Sequence, residues 1–252
     1  LKGIAPPTAP PPLPPILHED DRLLVVNKPA GLLTHPAGTD FVYSLIGLLK
    51  ERAPGQHVNL IHRIDRDTSG ALLVAKDLEA DRFLKEKFFN GEVRKEYDAL
   101  VRSPVEWDQM VVDAPIGPKG QVVRIRRMVR EDGLDAKTTF TVLNRKDTLT
   151  HVRCKIHTGR THQIRVHLEH LDLPIVGDRL YGVPPDVFLH AYDHGVDAFV
   201  MEQTGAPRQA LHARRLCVEH PSGGTLDVEA PMADDMASWW ETPSLLPFGT
   251  RE

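Results

Sequence analysis

An α+β fold with a mixed, mostly antiparallel central sheet and flanking helices is predicted for this 252-residue chain by three observations. Short β-type runs crowd the middle of the sequence. Only three stretches show clear helical spacing. The strands are separated by too few helical crossovers for an all-parallel sheet.

The elements follow in chain order. Residues 1–15 hold Pro6, Pro7, Pro10, Pro11, Pro12, Pro14 and Pro15, the composition of a polyproline-II tail or linker. The folded domain is expected from Ile16, with 16–252 as one unit because no second Pro/Gly-rich linker and no repeat interrupts it. Leu23–Val26 and Gly70–Ala75 read as short apolar strands, and Val93–Val101 and Val122–Val129 as strands of mixed character. Lys137–Leu143 and Thr148–Ile156 alternate polar and apolar residues, as half-buried strands do. Helices are expected over Val42–Arg52, Leu78–Phe89 and Thr161–Leu171.

Composition removes several classes of protein. Hydrophobic residues make up 41 %, ordinary for a globular chain, and no apolar run approaches the ~18 residues of a spanning helix. Cys154 and Cys217 stand far apart with no CxxC pair, which excludes a disulfide framework and a cysteine-built zinc site and fits a reducing cytoplasm. Net charge is −4, yet residues 117–165 carry 12 Lys and Arg against 4 Asp and Glu, while 166–252 carry 5 against 14. A basic block inside an acidic chain suits a polyanion, as does the alternation that puts Arg124 and Arg126 on one face of a strand.

Four segments concentrate chemistry. Asn27–Pro36 follows a strand and reads as a β-turn that brings Lys28 to where a cation meets a phosphate or carboxylate. His62–Gly70 interleaves Arg63, Asp65, Arg66 and Asp67 between two apolar runs. A carboxylate among those arginines stays ionised and is usable as a nucleophile or base. Tyr97, on a strand with Lys95 and Ala99 on its own face, suits either a core aromatic or a platform for a base. His157–His170 reads as a strand end, a Gly turn and a helix capped by Thr158 or Thr161. His167 lies on the buried stripe with Ile164 and Leu168, as a satisfied core histidine. Arg165 sits about 100° round from Ile164, where it can form a partly buried ion pair. Asp178, in the loop that follows, is expected to meet Arg179 or a lysine.

Together these motifs resemble the RluA-type pseudouridine synthases. The matching stretches are VVNKPAGLLTHP (25–36), HRIDRDTSGALLVAKD (62–77), VRKEYDALV (93–101), VDAPIG (112–117), DAKTTFTVL (135–143), HTGRTHQIRVHLEHLDLPIVGDRLYG (157–182) and LHARRLCVEHP (211–221), in the family's order over most of residues 20–231. Ile64 departs mildly from the family's more usual Leu, and 183–209 matches nothing in the pattern. Some relatives carry a small RNA-binding domain ahead of the catalytic one, and the segment before Ile16 is too short and proline-rich for it.

The resemblance implies a pseudouridine synthase domain over 16–252 that isomerises uridines in structured ribosomal or transfer RNA, flips the target base, needs no metal and no cofactor, and works as a cytoplasmic monomer away from membranes. It implies Asp65 as the catalytic aspartate, Tyr97 as the active-site tyrosine and Arg165 as the arginine paired to the aspartate. Arg63 would fill the place of the flipped base and Leu211 would line the pocket. His62, Lys28 and Arg160 join them as expected RNA contacts. Two other readings stand beside it: a non-catalytic RNA-binding module on the same fold, and a histidine-metal hydrolase using His157, His162, His167 and His170.

Overall fold

The structure, a computed structural model, describes residues 10–36, 43–119 and 122–246. In chain order the elements are β1 (Ile16–Glu19), β2 (Leu23–Lys28), α1 (Leu45–Arg52), β3 (Asn59–Leu60), β4 (Ser69–Ala75), α2 (Leu78–Phe89), β5 (Arg94–Arg102), β6 (Gln109–Asp113), β7 (Ile116–Pro118), β8 (Arg127–Val129), β9 (Lys137–Arg145), β10 (Leu149–Ile156), α3 (Gln163–His170), α4 (Pro185–His194), α5 (Ala198–Thr204), β11 (Leu211–Glu219), β12 (Thr225–Glu229) and α6 (Asp234–Glu241). Two compact units divide the described residues, one of residues 10–96 with 212–233, the other of residues 97–211 with 234–246.

In the first unit the strand order is β1-β2-β4-β11, with β3 on β4 and β12 on β11. Every pairing there is antiparallel except β4 with β11. All seven residues of β4 are buried, which is why it reads as a continuous apolar run and not as an alternating one. Leu73 and Ala75 on β4 pack with Ala80 and Leu84 of α2 and with Leu216 and Val218 of β11. The α2 helix has the bounds its sequence predicts because both ends are signalled. The Asp77 carboxylate accepts the Ala80 N–H at 2.8 Å, Glu79 and Asp81 sit in the first turn, and Lys87 sits in the last. Gly70 has φ +115°, and a Cβ there would lie 2.3 Å from the Ala213 carbonyl oxygen, so the close approach of β4 and β11 requires glycine.

In the second unit the order is β5-β10-β9-β6, antiparallel at β10–β9 and β9–β6, and β7–β8 forms a separate two-stranded sheet. Phe140, Val152 and Cys154 are fully buried on one face of β9 and β10. α3 is buried from Gln163 to Leu168, more completely than a single apolar stripe implies.

Three expectations need correction. The strand expected over Val122–Val129 is only Arg127–Val129, and residues 122–125 form bends and a turn. Neither Thr158 nor Thr161 caps α3: its N-cap is His162 in the left-handed conformation, φ 59°, with no side-chain cap. The first helix starts at Leu45, where Ser44 caps it, and Val42 lies outside the described residues. The first strand, β1, begins at Ile16, and residues 1–9 of the proline-rich segment lie outside the described residues. Sequence patterning missed β1, β3, β6, β7, β11, β12 and α4–α6, which are short or carry mixed polarity. No helix among the described residues is long and apolar enough to cross a membrane.

Candidate active site

In the first unit Asp65 occupies a short loop between β3 and β4, half-buried, and the loop is fixed by its neighbours' carbonyls. On one side the Thr34 hydroxyl donates to the Ile64 carbonyl at 2.8 Å. On the other the Arg66 carbonyl accepts from Lys28 Nζ at 2.9 Å and from the Gly31 N–H at 2.9 Å. Ile64 is buried, and the Thr68 N–H donates to the Asp65 carbonyl at 3.1 Å. An aspartate whose two adjoining peptide groups are pinned has little backbone freedom left. Arg66 pairs with Asp67 at 3.1 Å, and Arg63 is exposed beside them.

Lys28 is therefore corrected as an RNA contact. It is fully buried, and its ammonium donates to the carbonyls of Pro29 (2.8 Å), Leu32 (2.8 Å) and Arg66 (2.9 Å). Three carbonyl acceptors take the three hydrogens an ammonium can give, so Lys28 clamps the Asn27–Pro36 turn to the Asp65 loop.

His62 has a similar inward place. Its ring stacks on Phe88 with centroids 4.9 Å apart, and its Nε2 accepts the Leu73 N–H at 3.1 Å. Burial, with Lys95 nearby, pushes its pKa down to about 3, so it is neutral at neutral pH. The unfolded chain then takes up a proton on this ring below about pH 6.5 and the folded chain does not. Stability should fall as pH drops from about 6.5 toward 3, by up to about 1.4 kcal/mol per pH unit from this ring. The expected check is a urea midpoint series between pH 7 and pH 4.5, in which His62→Gln shows the shallower loss.

In the second unit Tyr97 lies on β5, 8 % exposed, and Leu211 opens β11, 4 % exposed. Arg165, on α3, makes a buried two-pronged ion pair with Asp178: Nε to Oδ2 at 2.6 Å and Nη2 to Oδ1 at 2.8 Å. Asp178 Oδ1 also accepts the N–H groups of Leu180 and Tyr181 at 2.9 and 3.1 Å. Asp178, expected to meet Arg179 or a lysine, thus pairs with Arg165, for which the resemblance implies Asp65 as partner. The guanidinium lies over the Tyr181 ring at 4.8 Å. Gly177, at φ +77°, lets the chain pass where a Cβ would overlap the Arg208 carbonyl, and this turn delivers Asp178.

Gln163 fixes the TGR turn. Its amide donates to the Lys137 carbonyl and the Thr138 hydroxyl at 2.9 and 3.0 Å, and its oxygen accepts from Thr158 and the Arg160 N–H at 2.7 and 3.0 Å. Arg160 itself is exposed, with Nε on the Asp135 carbonyl at 2.8 Å. His167 is the satisfied core histidine expected, held by Thr138 at 2.9 Å and the Ala114 carbonyl at 3.0 Å. His157 bonds Thr139 and His162 bonds Tyr181, so the four-histidine spacing disperses. Among the described residues no group of His, Cys, Asp and Glu is placed to hold a metal ion.

The basic block is less available than its charge suggests. Arg126 is 8 % exposed and paired with Glu169, Arg153 with Asp98, Lys137 with Asp113 and Arg145 with Asp108. The expected pairing of Arg124 and Arg126 on one RNA-facing strand face is corrected, because Arg126 turns inward to α3 while Arg124 stays exposed. Sequence reasoning also passed over Tyr181, Thr34 and Gln163. Their signal was a hydroxyl or amide in a Gly-flanked or loop segment between apolar residues, where a buried polar group must be satisfied.

A family model described as RNA pseudouridylate synthase matches residues 22–170, more than half of the chain. The chain belongs to that family. It is 40 % identical over 241 residues to ribosomal large subunit pseudouridine synthase D of Nitrosomonas europaea, covering 93 % of this chain and 67 % of that protein. It is also 40 % identical over 228 residues to ribosomal large subunit pseudouridine synthase C of Escherichia coli O157:H7, covering 88 % and 67 %. The chain thus spans about two thirds of the length of these curated relatives. Among solved structures, human RNA pseudouridylate synthase domain containing 4 matches with TM-score 0.67 and 27 % identity over 88 % of this chain and 90 % of that one. Human RNA pseudouridylate synthase domain containing 1 matches with the same score and identity over 86 % and 82 %. The α+β pseudouridine synthase fold follows, and so does the activity of an RNA pseudouridine synthase.

Proposed function

We propose that this synthase isomerises uridines in large-subunit ribosomal RNA, with Asp65 as nucleophile, Tyr97 and Arg165 as its active-site partners, and no cofactor. The target follows the names of the relatives at 38–40 % identity, all of them ribosomal large subunit pseudouridine synthases, and takes precedence over transfer RNA for that reason. The observation that carries Asp65 is the loop around it, in which the carbonyls on both sides are hydrogen-bonded and the adjoining Ile64 is buried.

The reaction needs no redox partner. The C1′–N1 bond breaks, the uracil turns, a C1′–C5 bond forms, C5 loses its proton and N1 gains one. An ionised carboxylate serves this chemistry by adding to C6 of the uracil or by acting at the sugar. Tyr97 is the platform that keeps the detached base in place, and Arg165, held by Asp178, supplies positive charge that favours an ionised aspartate. Arg63, exposed two residues before Asp65, fills the gap left by the flipped uridine, and Leu211 adds apolar lining. Arg160 contacts phosphate.

The test is tritium release from RNA labelled at uridine C5, since C5 loses its hydrogen only when the new bond forms. Transcripts of large-subunit ribosomal RNA are expected to release tritium at least about tenfold faster than transfer RNA transcripts at equal concentration. The opposite preference would overturn the assignment of target.

A further inference from the structure

The β7–β8 sheet has two strands, and a two-stranded ribbon is marginal on its own in water, so it depends on what anchors it. The anchors converge on Tyr181, 1 % exposed. Its hydroxyl accepts the backbone N–H of Arg127, on β8, at 3.0 Å. The same oxygen lies 2.8 Å from Nδ1 of His162, the left-handed residue that starts α3. The amide donates to the hydroxyl oxygen, and the direction of the bond between that hydroxyl and the imidazole follows the His162 tautomer. The Tyr181 ring is flanked by two guanidiniums, Arg165 at 4.8 Å and Arg126 at 5.7 Å. Arg126, the residue before β8, pairs with Glu169 of α3, and Glu169 also accepts the Gly182 N–H at 3.0 Å. Past this anchored base the chain turns outward. Val122 is 74 % and Ile125 51 % exposed, with Arg124 exposed between them.

We propose that Tyr181 is a positioning residue that latches the β7–β8 ribbon to α3 through its hydroxyl, so that Arg124 and Arg127 meet RNA phosphates from a pre-ordered ribbon. The proposal rests on the chain's activity on RNA. The hydroxyl serves the ribbon, and the ring serves as the shelf on which Arg165 and Arg126 lie. A pre-ordered contact binds more tightly because ordering is not charged to the binding step.

Tyr181→Phe separates the two, keeping the ring and its packing while removing the hydroxyl. Hydrogen exchange on the RNA-free protein should show the Arg127 amide exchanging at least about threefold faster, as loss of one hydrogen bond at a locally opening site gives. RNA dissociation constants should rise about fivefold, while the single-turnover rate at saturating RNA stays within about twofold of wild type. Glu169→Gln, which loosens the ribbon from the other side, should likewise raise the RNA dissociation constant and leave the saturating rate within about twofold of wild type. Unchanged exchange at Arg127 would overturn the latch whatever the enzyme's substrate proves to be. Faster exchange with unchanged affinity would overturn its link to RNA. A fall in saturating rate matching or exceeding the affinity loss would make the hydroxyl part of the chemistry and contradict the proposal. Absence of tritium release from the wild-type protein would instead strike the reading of function and leave the exchange result to judge the latch.

Discussion

Asp65→Asn should abolish tritium release, lowering the single-turnover rate by at least about a thousandfold, while RNA affinity stays within about threefold of wild type. The amide keeps the size of the carboxylate but carries no charge to add to the uracil or act at the sugar, and losing that group under the proposed function removes most of the rate enhancement. Folding should be little affected, because the loop is fixed through the Ile64 and Arg66 carbonyls and not through the Asp65 carboxylate alone. Melting temperature and RNA titration, run on the same preparation, check both halves of this expectation. A variant within tenfold of wild type would remove Asp65 from the chemistry.

Lys28→Met should cost about 3 kcal/mol or more of stability, the largest structural effect expected of a single change near the site. The substitution keeps the apolar stem and removes the ammonium, leaving the Pro29, Leu32 and Arg66 carbonyls to lose a shared donor in a fully buried place. An unsatisfied buried polar group costs about 1–3 kcal/mol; the Pro29 and Leu32 carbonyls both lose this donor, while the Arg66 carbonyl keeps the Gly31 N–H. Since the Arg66 carbonyl lies one residue beyond Asp65 in the same short loop, the catalytic rate should also fall by more than about tenfold even at temperatures where the variant is folded. Salt dependence separates this from an RNA contact. A phosphate contact contributes about one unit to the slope of log affinity against log salt, and a clamp contributes none. The slope is expected to be unchanged, and a loss of about one unit would restore Lys28 to the RNA surface.

How much of this was open to sequence reading depended on whether the determining contacts were local. The α2 bounds were readable because Asp77 caps the helix and Lys87 ends it within the segment itself. His167 was readable as a core residue because its stripe with Ile164 and Leu168 is a property of helical spacing. Arg126 was misread because alternation alone puts it beside Arg124, while its burial depends on Glu169, 43 residues away in sequence. Lys28 was misread for the same reason, since a turn lysine reads as exposed until the Arg66 carbonyl, 38 residues on, is seen to take it in. Asp178 stands beside Arg179 in sequence, but its two-pronged partner is Arg165 on the preceding helix, 13 residues earlier. Charge counts gave the basic block its net sign but not its availability, because Asp98, Asp108 and Asp113 all lie outside the block they neutralise.

The most direct test of the whole account is to map pseudouridine across the large-subunit ribosomal RNA of cells lacking this gene, complemented with either the wild-type chain or Asp65→Asn at equal expression. The account predicts that one or more uridines lose modification on deletion, regain it with the wild-type chain, and stay unmodified with Asp65→Asn. Restoration by the Asp65→Asn protein, or a pseudouridine map unchanged by the deletion, would contradict it.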